Sequence, residues 1–189
     1  MYTNPANILK TLVCLLERNS EQINAVVRSY QNNRKLNVFQ GMRKVLPVDA
    51  YPSFEVEPQN ATNQWATTRA QRPRFHFTCT LTVRVDNEKY GVEYITTLAT
   101  ALAEVMTSPE NLQLKVVGET KWDPEGGLCD TYILDSLVED ANYSAAKEGS
   151  IRKAEFSWFA LIHEPYPSSK WRIGGSSTPT VLRPAVVPA

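Results

Sequence analysis

The chain has 189 residues and a mass of 21.3 kDa, a length that suits one globular domain with a hydrophobic core and is short for two domains. Its 20 basic residues balance its 20 acidic residues, so no overall positive field attracts the protein to nucleic acid or anionic lipid. The hydrophobic content of 42% excludes a disordered chain, and no stretch approaches the roughly 20 apolar residues that span a membrane.

The N-terminal residues and the cysteines indicate folding in a reducing cytoplasm. Residues 1–10 contain neither a basic segment nor a continuous apolar run, so we expect no secretory signal there. The three cysteines, Cys14, Cys79 and Cys129, are an odd number, lie far apart and form no C-x-x-C pair. This pattern predicts reduced thiols rather than a disulfide framework.

The first third of the sequence predicts helices followed by a short extended segment. Asn4 is a suitable N-cap for a helix that starts at the following proline, and apolar residues then recur at helical spacing. A second periodic run starts near Ser20, and it either continues the first helix or follows a turn after Asn19. Three prolines within residues 42–58 limit regular structure there to a short extended piece centred on residues 54–56.

A long polar segment precedes the clearest strand pattern in the chain. Residues 59–73 contain one large apolar side chain, that of Trp65, and are expected to form an exposed loop or a hairpin tip. From Phe75 to Val85 the odd-numbered residues are apolar, whereas the even-numbered residues around them are polar. This period of two predicts a long strand with one buried face and one solvated face, in an antiparallel sheet that helices cover on one side.

The second half of the sequence predicts one more helix and three more strands. Asp86 and Asn87 are caps for a helix that should stop at Ser108 because Pro109 follows. Strands are expected over residues 112–117, 129–138 and 151–163. The order of elements predicts an α+β fold, with a mostly antiparallel sheet and helices packed on one of its faces.

The composition of the chain changes after Glu164. Five prolines and a Gly-Gly pair follow, with too few apolar residues for a core. We therefore expect a domain over residues 1–164 and an extended C-terminal arm over residues 165–189.

No pattern in the sequence supports a catalytic, cofactor or metal site. His76 and Cys79 are three positions apart on a predicted strand, so they point to opposite faces and cannot share a metal ion. His163 lies at a strand end without a nucleophile or oxyanion donor nearby, which favours an ordinary edge residue over an acid–base catalyst. Residues 123–127 favour a turn over a calcium loop because the alternating acidic ligands are missing. We expect a protein that is not an enzyme.

Arginine and tryptophan residues predict a partner interface on and near the alternating strand and in the arm. These residue types serve in both nucleic-acid and protein interfaces. Because the chain has no net charge, a solvated face or a protein interface is favoured over sequence-specific nucleic-acid binding. The candidate interface residues are Trp65, Arg69, Arg72, Arg74, Arg84, Trp171 and Arg172.

The order of the predicted elements resembles that of a known protein family. A first helix, a long alternating strand, a helix that ends near Ser108 and a closing strand follow one another over residues 1–164. The closing stretch, residues 149–158, has the sequence GSIRKAEFSW. This succession resembles the tail terminator proteins of tailed bacteriophages, whereas the proline-rich residues 165–189 depart from the compact members of that family.

The resemblance implies a structural virion protein that is made in the host cytoplasm and lies in the tail or neck of the particle. It implies a subunit of a homohexameric ring that caps the tail tube and connects it to the neck. The implied partners are further copies of the chain, the tail tube protein, a neck or head-completion protein and the sheath protein. It implies no catalytic residue and no cofactor.

Two alternatives to a tail terminator stay open at this point. One is another neck or tail-completion subunit with the same kind of sheet. The other, from a different class, is a small-molecule-binding α+β domain or a hydrolase, with a pocket between the sheet and the helix at residues 88–106. The apolar residues of that helix and of the alternating strand predict a filled core instead.

Overall fold

The computed structural model describes residues 3–41, 47–67, 70–85, 88–108, 114–123, 127–145 and 150–163. The fold of this part of the chain is α+β, as predicted, with three α-helices on one face of a six-stranded sheet. The helices are α1 (Pro5–Arg18), α2 (Ser20–Tyr30) and α3 (Glu88–Thr107). The strands are β1 (Asn37–Gln40), β2 (Ser53–Thr67), β3 (Ala70–Arg84), β4 (Leu114–Asp123), β5 (Gly127–Ala145) and β6 (Ile151–His163).

Local side chains define where the first two helices begin and end. The side chain of Asn4 accepts a hydrogen bond from the amide of Ala6 at 3.0 Å, and Pro5 occupies the first position of α1, where no amide donor is needed. The side-chain amide of Asn19 donates to the carbonyl of Leu15 at 2.9 Å. Asn19 separates α1 from α2, so the structure has the turn rather than one continuous helix.

The sheet is mostly antiparallel, as predicted. Its strand order is β1-β2-β3-β6-β5-β4, and only β1 and β2 run parallel among the paired neighbours. The central pair, β3 and β6, is in register from Arg74 opposite Leu161 to Arg84 opposite Ile151. β6 has the predicted bounds, whereas the short strand β1 has no counterpart in the sequence-based prediction.

The hydrophobic core lies between the sheet and the helices. The odd-numbered residues of β3 from Phe75 to Val83 are at most 3% exposed, as their alternation predicts. They pack in one cluster with α3, which contributes the fully buried side chains of Tyr94, Leu98 and Leu102. The space beneath α3 is therefore filled by side chains, which argues against a ligand pocket there.

The structure decides between the two alternatives for the polar segment and corrects one prediction about β3. Residues 59–67 and 70–73 belong to β2 and β3, which stay paired as far as Thr67 opposite Ala70, so the segment is the end of a hairpin and not an exposed loop. A polar sequence is compatible with such a hairpin because the backbone pairing does not depend on burial. The prediction that the even-numbered residues of β3 are solvated is wrong for Thr80 and Thr82, which are only 5% and 4% exposed at the centre of the sheet, where β2 and β6 flank β3.

The strands β4 and β5 are longer than the sequence predicts. They extend beyond the segments expected at residues 112–117 and 129–138. Asp123 and Gly127, the ends of the segment predicted to be a turn, are paired with each other, and residues 124–126 between them lie outside the described part of the chain.

Several sequence-based predictions concern residues outside the described part of the chain. These are the helix caps Asp86 and Asn87 and the arm at residues 165–189. The predicted end of the helix before Ser108 is confirmed, because α3 stops at Thr107.

Candidate assembly surface

The helices leave one face of the sheet uncovered in the part of the chain that the structure describes. We call it the open face. It is formed by the even-numbered residues of β3, the odd-numbered residues of β6 and the residues paired with them on β2 and β5. A sheet face that carries exposed apolar side chains is a candidate for contact with another protein.

An aromatic and cationic cluster lies on the open face. The rings of His76 and Phe159 stack with centroids 4.5 Å apart, and the guanidinium carbon of Arg74 lies 4.1 Å from the centroid of the Phe159 ring. A ring nitrogen of His76 is 3.1 Å from the hydroxyl of Ser157, and a guanidinium nitrogen of Arg74 is 3.6 Å from the carboxylate of Glu139. These contacts hold the Phe159 ring in place at the surface.

A shallow depression of about 290 Å³ adjoins this cluster. It is lined by Arg74, Asp135, Ser136, Leu137, Phe159 and Leu161. Leu137 leaves 48% of its surface exposed although it is a large apolar residue. Apolar walls with an arginine and a carboxylate beside them match the composition of protein interfaces, where aromatic residues and arginine are enriched.

A second depression on the sheet is polar and shows no feature of a catalytic or metal site. It measures about 560 Å³ and is lined by Thr78, Ala141, Asn142, Glu155, Phe156 and Ser157. Among the residues that the structure describes, no group of three or more His, Cys, Asp or Glu side chains is placed to bind a metal ion.

Two hairpins project from one end of the sheet. β6 ends at His163, opposite Tyr132 of β5. The β2–β3 hairpin continues past this level to Ala70, and the β4–β5 hairpin continues past it to Gly127. Because β6 is antiparallel to both β3 and β5, both hairpins extend in the direction in which β6 runs. The chain therefore leaves β6 between the two hairpins.

The structure places two of the seven predicted interface residues on the described surface. Arg74 belongs to the aromatic cluster, and Arg84 is ten positions away at the other end of β3. The two do not form one site. Trp65 and Arg72 lie on the strands of the β2–β3 hairpin, but their side chains are outside the described part of the structure. The other three predicted residues lie entirely outside the described part of the chain: Arg69, Trp171 and Arg172.

Sequence reasoning missed the apolar part of the open face. The even-numbered residues of β6 are buried in the core, whereas Phe159 and Leu161 between them lie on the open face, and the sequence-based candidates for the interface include neither. The unbroken apolar run from Trp158 to Ile162 contains the signal for this apolar surface. A strand with apolar residues at both odd and even positions presents apolar side chains on both of its faces.

The histidines and the buried cysteine take ordinary positions. His76 and Cys79 lie on opposite faces of β3, as predicted: Cys79 is fully buried in the core, and burial raises the pKa of its thiol. His163 is partly exposed at the end of β6. Asp123 lies on β4 with a side chain outside the described part, and Glu125 lies outside it as a whole.

No helix within the described residues is both long and apolar enough to cross a membrane.

The described residues define a one-sided α+β domain whose open face carries a surface suited to protein contact. No protein-family model matches the chain, and no curated protein matches its sequence. A chain from the virion of a native gene transfer agent particle is similar in structure, with a TM-score of 0.48 and 9% identity, over 81% of this chain and 92% of that chain.

A second solved structure, which has no descriptive name, has a TM-score of 0.46 and 14% identity over 88% of this chain and 99% of that chain. Both TM-scores are below 0.5, so the two structural similarities are weak.

Proposed function

We propose that the protein is a structural subunit of a phage-like virion, and specifically a tail terminator that forms a ring of six copies at the end of the tail tube. The observation that carries the proposal is the one-sided sheet, with helices on one face and contact surface on the other. The succession of elements that resembles the tail terminators is also the succession in the structure. In this function the protein acts by assembly, and buried interface supplies the binding energy without a chemical step.

The two projecting hairpins support a role in assembly. In a ring, each subunit contacts its two neighbours through two different surfaces. Among the described residues, the part of β3 before Arg74 pairs only with β2, and the part of β5 before Tyr132 pairs only with β4. Unpaired strand edges of this kind can pair with a strand from another chain. The hairpin end is therefore our candidate for contact with neighbouring subunits or with the tube.

The partners that we propose follow from this position in the particle. They are further copies of the chain, the tail tube protein, a neck or head-completion protein and the sheath protein. Another neck or tail-completion subunit is the second candidate, because the same one-sided sheet would serve it equally well. A small-molecule-binding domain or hydrolase is disfavoured, because side chains fill the space between α3 and the sheet.

The deciding experiment measures the particle mass of the purified full chain by mass photometry, alone and with tail-tube subunits. We expect a closed oligomer of uniform mass that binds the ends of tubes. A chain that stays monomeric under both conditions contradicts the ring. A ring that binds a neck or head protein but not the tube favours the second candidate.

A hairpin variant tests which end of the domain makes the contact. Replacing residues 63–73 by Asn-Gly joins the paired residues Thr62 and Arg74 by a two-residue turn and shortens the β2–β3 hairpin. We expect this variant to keep its helical circular dichroism and lose tube binding. The matched control is Val92→Ser on α3, where the side chain is 53% exposed on the helical side, and this change should leave binding unaltered.

A further inference from the structure

The depression on the open face is large enough for one aromatic side chain. Its volume is about 290 Å³, and a cavity of roughly 150 Å³ already holds a benzene molecule. An aromatic ring in the depression meets Phe159, which is held by its contacts with His76 and Arg74. Because the receiving side chains are already ordered, little conformational entropy is lost when a ring binds.

The sequence that follows β6 contains a side chain of suitable size. Trp171 is the single tryptophan after His163, and Arg172 follows it directly. Tryptophan and arginine are the residues most enriched at the energetically important positions of protein interfaces. The next question is whether Trp171 reaches the depression of its own copy or that of a neighbour.

The path of the chain favours a neighbouring copy. The depression lies beside Leu161, two residues before β6 ends at His163. To reach it in the same copy, the chain would have to reverse direction at once, but the two prolines within residues 164–167 favour an extended path. In polyproline II geometry, at about 3.1 Å per residue, the eight residues from His163 to Trp171 would span about 25 Å. Such a span is long enough to reach an adjacent subunit.

The charges of the two surfaces are complementary. Residues 164–189 contain three basic residues and one acidic residue. Among the described side chains of β2, β3 and β6, and of β5 where it pairs with β6, the open face has more acidic than basic residues. The acidic residues with exposed or partly exposed side chains are Glu57, Asp135, Glu139 and Glu155, and the basic residues are Arg74, Arg84 and Lys153. This asymmetry favours docking of the basic segment.

We infer that residues 164–189 of one copy bind the open face of the next copy, with Trp171 in the depression formed by Leu137, Phe159 and Leu161. Arg172, next to the anchoring tryptophan, then lies near the carboxylate of Asp135 at the rim. The inference rests on the proposed ring and names the contact that joins two of its subunits.

Disulfide trapping tests this contact with two full-length chains that can be distinguished by electrophoresis. Both chains carry Cys14→Ser, which removes an exposed thiol. One chain also carries Leu137→Cys and the other Ile173→Cys, so that Trp171 stays intact. After mixing and mild oxidation, non-reducing electrophoresis should show a cross-link between the two chains. Chains that carry only Cys14→Ser give the background from the remaining native cysteines.

Two control variants define the specificity of the cross-link. In the first control, Val92→Cys replaces Leu137→Cys. Val92 is similarly exposed but lies on α3, and its cross-link with Ile173→Cys should form at least about tenfold less. Adding Trp171→Ala to the chain that carries Ile173→Cys should reduce the cross-link with Leu137→Cys by about tenfold or more, whereas Trp171→Phe should retain most of it.

Three results would overturn the inference. The first is a cross-link to Val92→Cys as strong as that to Leu137→Cys. The second is a cross-link that Trp171→Ala does not weaken. The third is a cross-link within a single chain that carries both Leu137→Cys and Ile173→Cys. Mass photometry of the same samples separates this failure from failure of the proposed function. Rings that form without the specific cross-link leave the function standing and remove the inference, whereas a chain that stays monomeric even with tube subunits removes both.

Discussion

Two buried threonines, Thr11 and Thr80, differ in how their hydroxyl groups are hydrogen-bonded. The hydroxyl of Thr11 donates to the carbonyl of Asn7 at 2.8 Å and accepts from the amide of Val117 at 2.9 Å, which connects α1 to β4. The hydroxyl oxygen of Thr80 is buried without a hydrogen-bond partner among the described protein groups. A buried polar atom without a partner costs about 1–3 kcal/mol, whereas a satisfied one stabilises the fold.

The change of each threonine to valine should therefore have opposite effects on stability. Thr11→Val leaves the Val117 amide without its acceptor and should lower the free energy of unfolding by about 1–3 kcal/mol. Thr80→Val removes an unsatisfied hydroxyl at nearly constant shape and should leave the free energy of unfolding unchanged or raise it. Urea denaturation followed by circular dichroism measures both. A larger loss in Thr80→Val than in Thr11→Val would show that the Thr80 hydroxyl has a partner.

The thiol of Cys79 should make the stability depend on pH in the alkaline range. Burial raises its pKa in the folded protein, whereas the thiol of an unfolded chain has a pKa of about 8.5. Above that value the unfolded state releases a proton that the folded state keeps, so the free energy of unfolding falls as the pH rises. One such group contributes at most about 1.4 kcal/mol per pH unit.

Urea denaturation between about pH 8 and pH 10 isolates this contribution. The free energy of unfolding of the native chain should decline more steeply over this range than that of Cys79→Ala. Each curve is compared with its own value at neutral pH, because the substitution also leaves a small cavity. Parallel slopes would show that Cys79 keeps an ordinary pKa when folded.

At the scale of elements, the sequence predicts best those segments whose two faces have different surroundings. β3 alternates because one side lies in the core, and α1 and α3 carry apolar stripes for the same reason. The distal parts of β2 and β3 lack this alternation because their pairing, rather than burial on one face, makes them strands. Local sequence therefore gives no signal for the length of this hairpin.

The candidate site shows the same division between local and long-range information. Arg74 follows from the alternation of β3 alone. Its neighbours Phe159 and Leu137 come from β6 and β5, and the three meet only because of the register between strands that are far apart in the sequence. A single sequence does not state that register, so the depression could not be predicted from it.

Two leucines on different faces of the sheet test the assignment of core and open face. Leu81 on β3 is fully buried, and Leu81→Ala should lower the free energy of unfolding by about 2–5 kcal/mol. The same change at Leu137 on β5, which is 48% exposed, should alter it by no more than about 0.5 kcal/mol. Denaturant midpoints of the two variants decide the matter. Similar losses in the monomer would show that Leu137 is packed within its own copy.

At the scale of the whole molecule, the helix-covered face of the sheet provides stability, and the open face is our candidate for assembly. The core formed by the described residues extends from Ile8 to Ile162. The surface that we propose for assembly lies on the other face of the sheet and at its hairpin end. Changes to one function should therefore leave the other largely intact, because sites with no shared contacts contribute independently.

Removal of residues 166–189 is the direct test of this division. The proline-rich composition of this segment, with its few apolar residues, predicts that it adds no core of its own, so the truncated chain should keep its far-UV circular dichroism and its melting temperature. Ring formation should weaken, because each subunit loses the segment that we place on its neighbour, and Trp171→Ala in the full chain should reproduce much of that loss. Mass photometry over a series of protein concentrations measures the change. If truncation unfolds the monomer, the segment belongs to the core of its own copy. If neither folding nor assembly changes, the ring is held by the hairpins alone.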